Sequence, residues 1–258
     1  MRSLRALVKA ALGVGVSCAV CVVPIVTTAH AEAGVKLSWD HCSGDGHVSL
    51  RQFACDTDEG RDVIVGSFVP PIGVDSLSGN EVTLDFQVEY GTYPSWWAFR
   101  ANGACRQAAM SMDFVPRTPP IQCIDMWQGQ AAGGIGAYTI GGLGDPLRAR
   151  LRAAIAVPGT NLRRLQADVE YFSFNLVIDH SKTVGEGACD GCATRVCIFF
   201  SALKLTQPIG VGDYVLHGLS EYPPTDRISW QGQTAFCSGG VINPVRNTTW
   251  GSVKALYR

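Results

Sequence analysis

Cysteine parity constrains this chain more than any other feature, because an even set of thiols behind an export leader commits a fold to disulfides. The N-terminus has the parts of such a leader. Arg2, Arg5 and Lys9 give a positive start, and no acidic residue precedes Glu32. Ala10 to Val26 is apolar apart from small residues and Pro24, and Ala29-His30-Ala31 fits the small-x-small rule for signal peptidase. The apolar run is short for a membrane anchor and Pro24 interrupts it. A cleaved signal peptide over 1–31 is therefore expected, with 32–258 as one mature domain. No Leu-x-small-Cys pattern precedes Cys18 or Cys21, and no later stretch is apolar enough to span a bilayer.

Cys18 and Cys21 leave with the leader, so eight of the ten cysteines remain: Cys42, Cys55, Cys105, Cys123, Cys189, Cys192, Cys197 and Cys237. In an oxidising compartment these read as four disulfides. Short loops favour Cys42–Cys55 and Cys105–Cys123, leaving the other four to pair among themselves. Cys189-Asp190-Gly191-Cys192 also has the bite of a zinc ligand pair or a redox motif. Neither has support nearby: there is no second CxxC, no βαβ pattern and no helix N-terminus to stabilise a thiolate.

The rest of the chain is patterned for strands. Val35 to Trp39 alternates, and a β-branched run from Val63 to Val69 stops at Pro70-Pro71, where ladder donors run out. Val82 to Tyr90 alternates, placing Val82, Leu84, Phe86, Val88 and Tyr90 in the core and Thr83, Asp85, Gln87 and Glu89 towards water. Leu147 to Val157 has helix-forming Ala and Arg, but only a strand separates Arg148, Arg150 and Arg152 from the apolar residues. Leu162 to His180 and Arg195 to Thr206 read as long strands of one hairpin, its tip pinned by cysteines at Thr183 to Thr194. Short strands follow near Tyr214–His217, Ile228–Trp230 and Thr234–Cys237. A C-terminal helix capped by Thr248 or Thr249 would share Trp250, Val253 and Tyr257 on one face. Gly129 to Gly144, with seven glycines in sixteen residues, reads as a mobile surface loop. There is no linker, repeat or low-complexity tract. The expected fold is mostly β: one disulfide-stabilised antiparallel two-sheet sandwich of Greek-key or jelly-roll type.

Charge narrows the partners. Without the leader the chain carries 18 basic and 22 acidic residues, a net charge of −4, which gives no electrostatic drive toward nucleic acid or anionic membranes. Tyr93-Pro94-Ser95-Trp96-Trp97 is the candidate ligand site. Adjacent residues of an extended chain point to opposite faces, so Trp96 or Trp97 is expected outside, where a flat ring can stack on a sugar. In the bland alternative both are core. Asp56, Asp58 and Asp62 lie in a Gly-containing acidic loop that could wrap calcium or simply form a solvated turn. The four mature histidines, His41, His47, His180 and His217, form no HExxH pattern, and GxSxG is absent. Asp85 with Glu89, and Asp168 with Glu170, have the same-face spacing that a glycosidase pair would need. Asn247-Thr248-Thr249 is a glycosylation sequon.

Three strings, Leu37-Ser38-Trp39-Asp40-His41-Cys42, Phe53-Ala54-Cys55-Asp56-Thr57 and Gly187-Ala188-Cys189-Asp190-Gly191-Cys192, resemble those of uncharacterised secreted bacterial proteins. That resemblance implies an envelope or extracellular location and brings no activity or site residue with it. The expectation is a secreted, non-catalytic binding or adhesion domain with carbohydrate as ligand. The alternatives are a structural part of an extracellular assembly and a carboxylate-dependent glycan hydrolase.

Overall fold

The computed structural model describes residues 32–117, 123–142, 144–218, 224–232 and 237. The expected leader, the expected Thr234–Cys237 strand apart from Cys237 itself, the sequon at Asn247 and the expected C-terminal helix fall outside them. Two large sheets carry the fold. The first has β1 (Gly34–Trp39), β3 (Arg61–Val69), β11 (Tyr171–Asp179) and β6 (Met110–Asp113) in that order, with β7 (Ile124–Asp125) also on β11. The second runs β2 (Leu50–Arg51), β14 (Arg227–Trp230), β12 (Val196–Thr206), β5 (Gly79–Val88), β9 (Arg148–Ala156) and β8 (Ala132–Ile140), with β13 (Tyr214–His217) also on β12. A ribbon of β4 (Val74–Leu77) and β10 (Arg163–Leu165) completes the described strands. The arrangement is sandwich-like, as expected. It is not purely antiparallel, because β7 runs parallel to β11 and β2 parallel to β14.

The two inner faces meet in one core. Trp39 of β1 approaches Trp230 of β14 with ring centroids 6.1 Å apart, and Phe174 of β11 approaches Phe200 of β12 at 5.4 Å. Phe174 has room because its cross-strand partner is Gly66, where a Cβ would lie 2.2 Å from the ring. Asn80 on β5 donates to the Ser173 hydroxyl on β11 at 2.9 Å, so the buried polar atoms also couple the layers.

Alternation located β9 well: Ala149, Leu151, Ala153 and Ile155 are buried, while Arg148, Arg150 and Arg152 share the other face. Elsewhere tertiary context overrode the pattern. Leu162 to His180 is two strands, because the chain turns at Asp168 with φ 60° before entering β11. β11 and β12 belong to different sheets, so no large hairpin forms. Within the glycine-rich segment, Ala132–Ile140 is not a loop but edge strand β8, paired to β9 along its length. Gly133 there lies so close to β9 that a Cβ would meet the Ala154 carbonyl at 2.1 Å. Small size serves backbone approach at that position rather than mobility.

The disulfides are Cys42–Cys123, Cys55–Cys192, Cys105–Cys189 and Cys197–Cys237. Only Cys197–Cys237 pairs within the last four, and neither short-range pairing holds. Loop closure costs rise slowly with length, so proximity in sequence is a weak guide once the sheets have brought distant segments together.

Candidate functional site

β5 and β12 are hydrogen-bonded neighbours, with Val88 opposite Val196. The segment leaving β5 and the segment entering β12 therefore lie side by side at one end of the second sheet. Between them is a groove of about 700 Å³, lined on one side by Glu89, Tyr90 and Tyr93 and on the other by Asp190, Thr194 and Arg195.

Its walls are fixed. The Trp96 N–H donates to the Asp190 carbonyl at 2.9 Å, and the Asp190 N–H donates to the Ser95 hydroxyl at 2.8 Å. Gly191 has φ 96°, and a Cβ there would lie 2.3 Å from Pro94 Cβ, so only glycine fits against the opposite wall. Cys189 and Cys192 tie the same loop to Cys105 and Cys55. The CxxC cysteines thus bond outward in two separate bridges, which leaves neither thiol for zinc or for a redox cycle between them.

Trp96 and Trp97 lie beneath the groove, both wholly buried, and neither offers a face to a ligand. The expectation of an exposed tryptophan assumed an extended chain. Ser95–Trp97 is instead a 3₁₀ turn, which swings both rings inward. Trp96 stacks on Trp230 with centroids 5.1 Å apart and donates to the Thr183 hydroxyl at 3.0 Å. Arg106, 2% exposed, lies 3.5 Å over the Trp96 ring and donates to the carbonyls of Ser181 and Trp96 at 2.9 Å each and to that of Asp179. Burial pushes its guanidinium down to about 10.

Tyr93 lines the groove, and its hydroxyl meets that of Tyr138 on β8 at 2.5 Å. Burial raises the pKa of both phenols. The Tyr138 hydroxyl also donates to the Trp97 carbonyl at 2.9 Å. The exposed aromatic is Tyr90, 73% accessible, which alternation had assigned to the core. β5 ends at Val88 and the chain turns through Gly91 with φ 89°, so Tyr90 leaves the sheet before its parity applies. Gly91 was the readable signal for that turn. Glu89 keeps its outward parity and pairs with Arg195 at 3.3 Å across the two strands.

The other candidates are held by different partners. Asp58 accepts the N–H groups of Thr183 at 2.6 Å and Val184 at 2.8 Å; these bonds, Val184 foremost, hold its carboxyl below the ordinary value of 3.8. Asp62 contacts Arg51 at 3.0 Å and His180 at 2.8 Å, whereas Asp56 is exposed. Among the described residues no group of three or more His, Cys, Asp or Glu is placed to hold a metal ion. Asp85, expected at the surface, is completely buried: Arg150 donates to it twice, at 2.7 and 2.8 Å, and Ser201 donates at 2.5 Å. That bidentate bond raises the Arg150 pKa. Glu170 accepts from Ser67 at 2.5 Å and from the Gly44 N–H at 2.9 Å.

Among the described residues no helix is long and apolar enough to cross a membrane, and the four disulfides suit an extracellular-type protein. No family model and no curated protein sequence matches the chain.

Proposed function

We propose that this is an exported, non-catalytic binding domain whose ligand is a carbohydrate, held in the groove between the β5 and β12 loops. The exposed ring of Tyr90 at the groove wall carries the reading. An aromatic with one apolar face and a polar tip suits a half-wet sugar ring. Glu89, Asp190 and Thr194 supply acceptors beside it for sugar hydroxyls. The loops are cross-linked before any ligand arrives, so little ordering entropy is lost on binding.

The purified protein should retain one or more members of a broad panel of neutral and acidic glycans. Tyr90→Ala should weaken that binding at least tenfold, a loss of about 1.4 kcal/mol, without moving the thermal midpoint. Retention of no glycan, or an affinity that ignores Tyr90→Ala, would sink the proposal.

A further inference from the structure

The outer face of the second sheet extends the groove. Residues directly opposite one another on paired strands share a face. Glu89, Gln87, Asp85 and Thr83 of the β5 segment therefore form a row, with Arg148, Arg150 and Arg152 of β9 opposite Gln87, Asp85 and Thr83. On β8, Thr139 lies opposite Arg150 and Ala137 opposite Arg152. From Glu89 to Thr83 the row runs about 20 Å at the rise of a strand, the reach of a short oligosaccharide.

At its far end Ala137, Thr139, Gly142, Arg150 and Arg152 line a cavity of about 260 Å³. The charges around it do not balance. Arg150 is committed to buried Asp85 by two hydrogen bonds, and Arg148 contacts Asp145 at 3.0 Å. Across the sheet Glu81 is held by Lys204 at 3.1 Å. Arg152 is exposed and has no ion-pair partner among the described residues. A fork of guanidinium donors thus stands open in a cavity that Thr139 also lines, and such a fork matches the paired oxygens of a carboxylate or sulfate.

We propose that this cavity is an anion site and that the glycan is an acidic one, its uronate carboxylate or sulfate ester received by Arg152. The inference rests on the groove reading for the glycan but not for the anion. Titration of the isotope-labelled protein, followed by NMR at constant ionic strength, separates the two. Galacturonic acid and galactose 6-sulfate are the charged probes, and galactose is the neutral one. A charged sugar should shift the Arg152 side-chain N–H and the Thr139 amide, and galactose should not. Arg152→Gln should reduce the shift of the Thr139 amide about tenfold, with Arg152→Lys intermediate because it keeps the charge and loses the fork. Equal shifts from all three sugars, or none from any, would overturn the anion site. The amides of Gly91 and Thr92 report the groove independently: if they respond to sugar while Arg152 stays silent, the groove reading stands alone. If Arg152 responds and they do not, the anion site stands without the groove.

Discussion

At the scale of single residues, two side chains far apart in sequence brace the segments that continue into the groove walls, Arg106 at Trp96 and Asp58 at Thr183 and Val184. Arg106 brings its charge against Trp96 and donates to three carbonyls, of which that of Trp96 is buried. Arg106→Met keeps the bulk and removes the donors. It should lower stability by about 3 kcal/mol, since a hydrogen bond from a charged group contributes roughly 1.5–3 kcal/mol and unmet acceptors add their desolvation; urea unfolding would measure it. Asp58 acts through titration. Its folded pKa lies below 3.8, so its contribution is complete above the unfolded value and is lost as pH falls through the lower folded one. The gap in urea midpoint between the wild type and Asp58→Asn should therefore be widest near neutrality and close in strong acid. A gap that persists unchanged at pH well below 3.8 would show that the carboxylate charge has no part in it.

At the scale of elements, the 183–195 connection matters most, because it crosses from the first sheet to the second and forms a wall of the groove. Replacing Cys55 and Cys192 together by Ala opens a loop with a sequence separation of 137 residues. The expected loss is roughly 2–5 kcal/mol, together with weaker glycan binding as the wall at Asp190 to Arg195 loosens. Calorimetry and the same glycan panel would check both halves. Unchanged affinity in the folded double variant would mean that the hydrogen bonds between Ser95 and Asp190 suffice to set the wall. Strands were readable wherever one face is wet, as in β9, because alternation then survives in the sequence. It fails for Asp85, whose parity is outward but whose solvent is replaced by Arg150 and Ser201. It fails again at Tyr90, where a turn overrides it.

At the scale of the whole molecule, sheet membership was not legible. β1, β3 and β11 are buried at nearly every position, so their sequences carry no mark of which face meets which neighbour. That is why β11 and β12 resembled a hairpin. The site suffered in the same way. Tyr93 was found from its neighbours, but Asp190 and Arg195 entered only when β5 and β12 paired, and no local pattern announces a long-range pairing. Arg152 was visible as an outward residue of β9, and its want of a partner emerged only with the positions of Asp85 and Asp145.

The order of the bridges along the chain has a consequence for how the protein is made. Cys42–Cys123 interlocks with both Cys55–Cys192 and Cys105–Cys189. If the chain is exported N-terminus first, as proposed, Cys42 and Cys55 meet oxidants well before Cys123 emerges, and the two nearest thiols are the wrong partners. Thiol–disulfide exchange can undo such a bond only while an attacking thiolate remains. A host that oxidises quickly and isomerises poorly would therefore trap this chain in dead-end crosslinks. Yield would depend less on the strength of the native fold than on whether a disulfide isomerase waits on the far side.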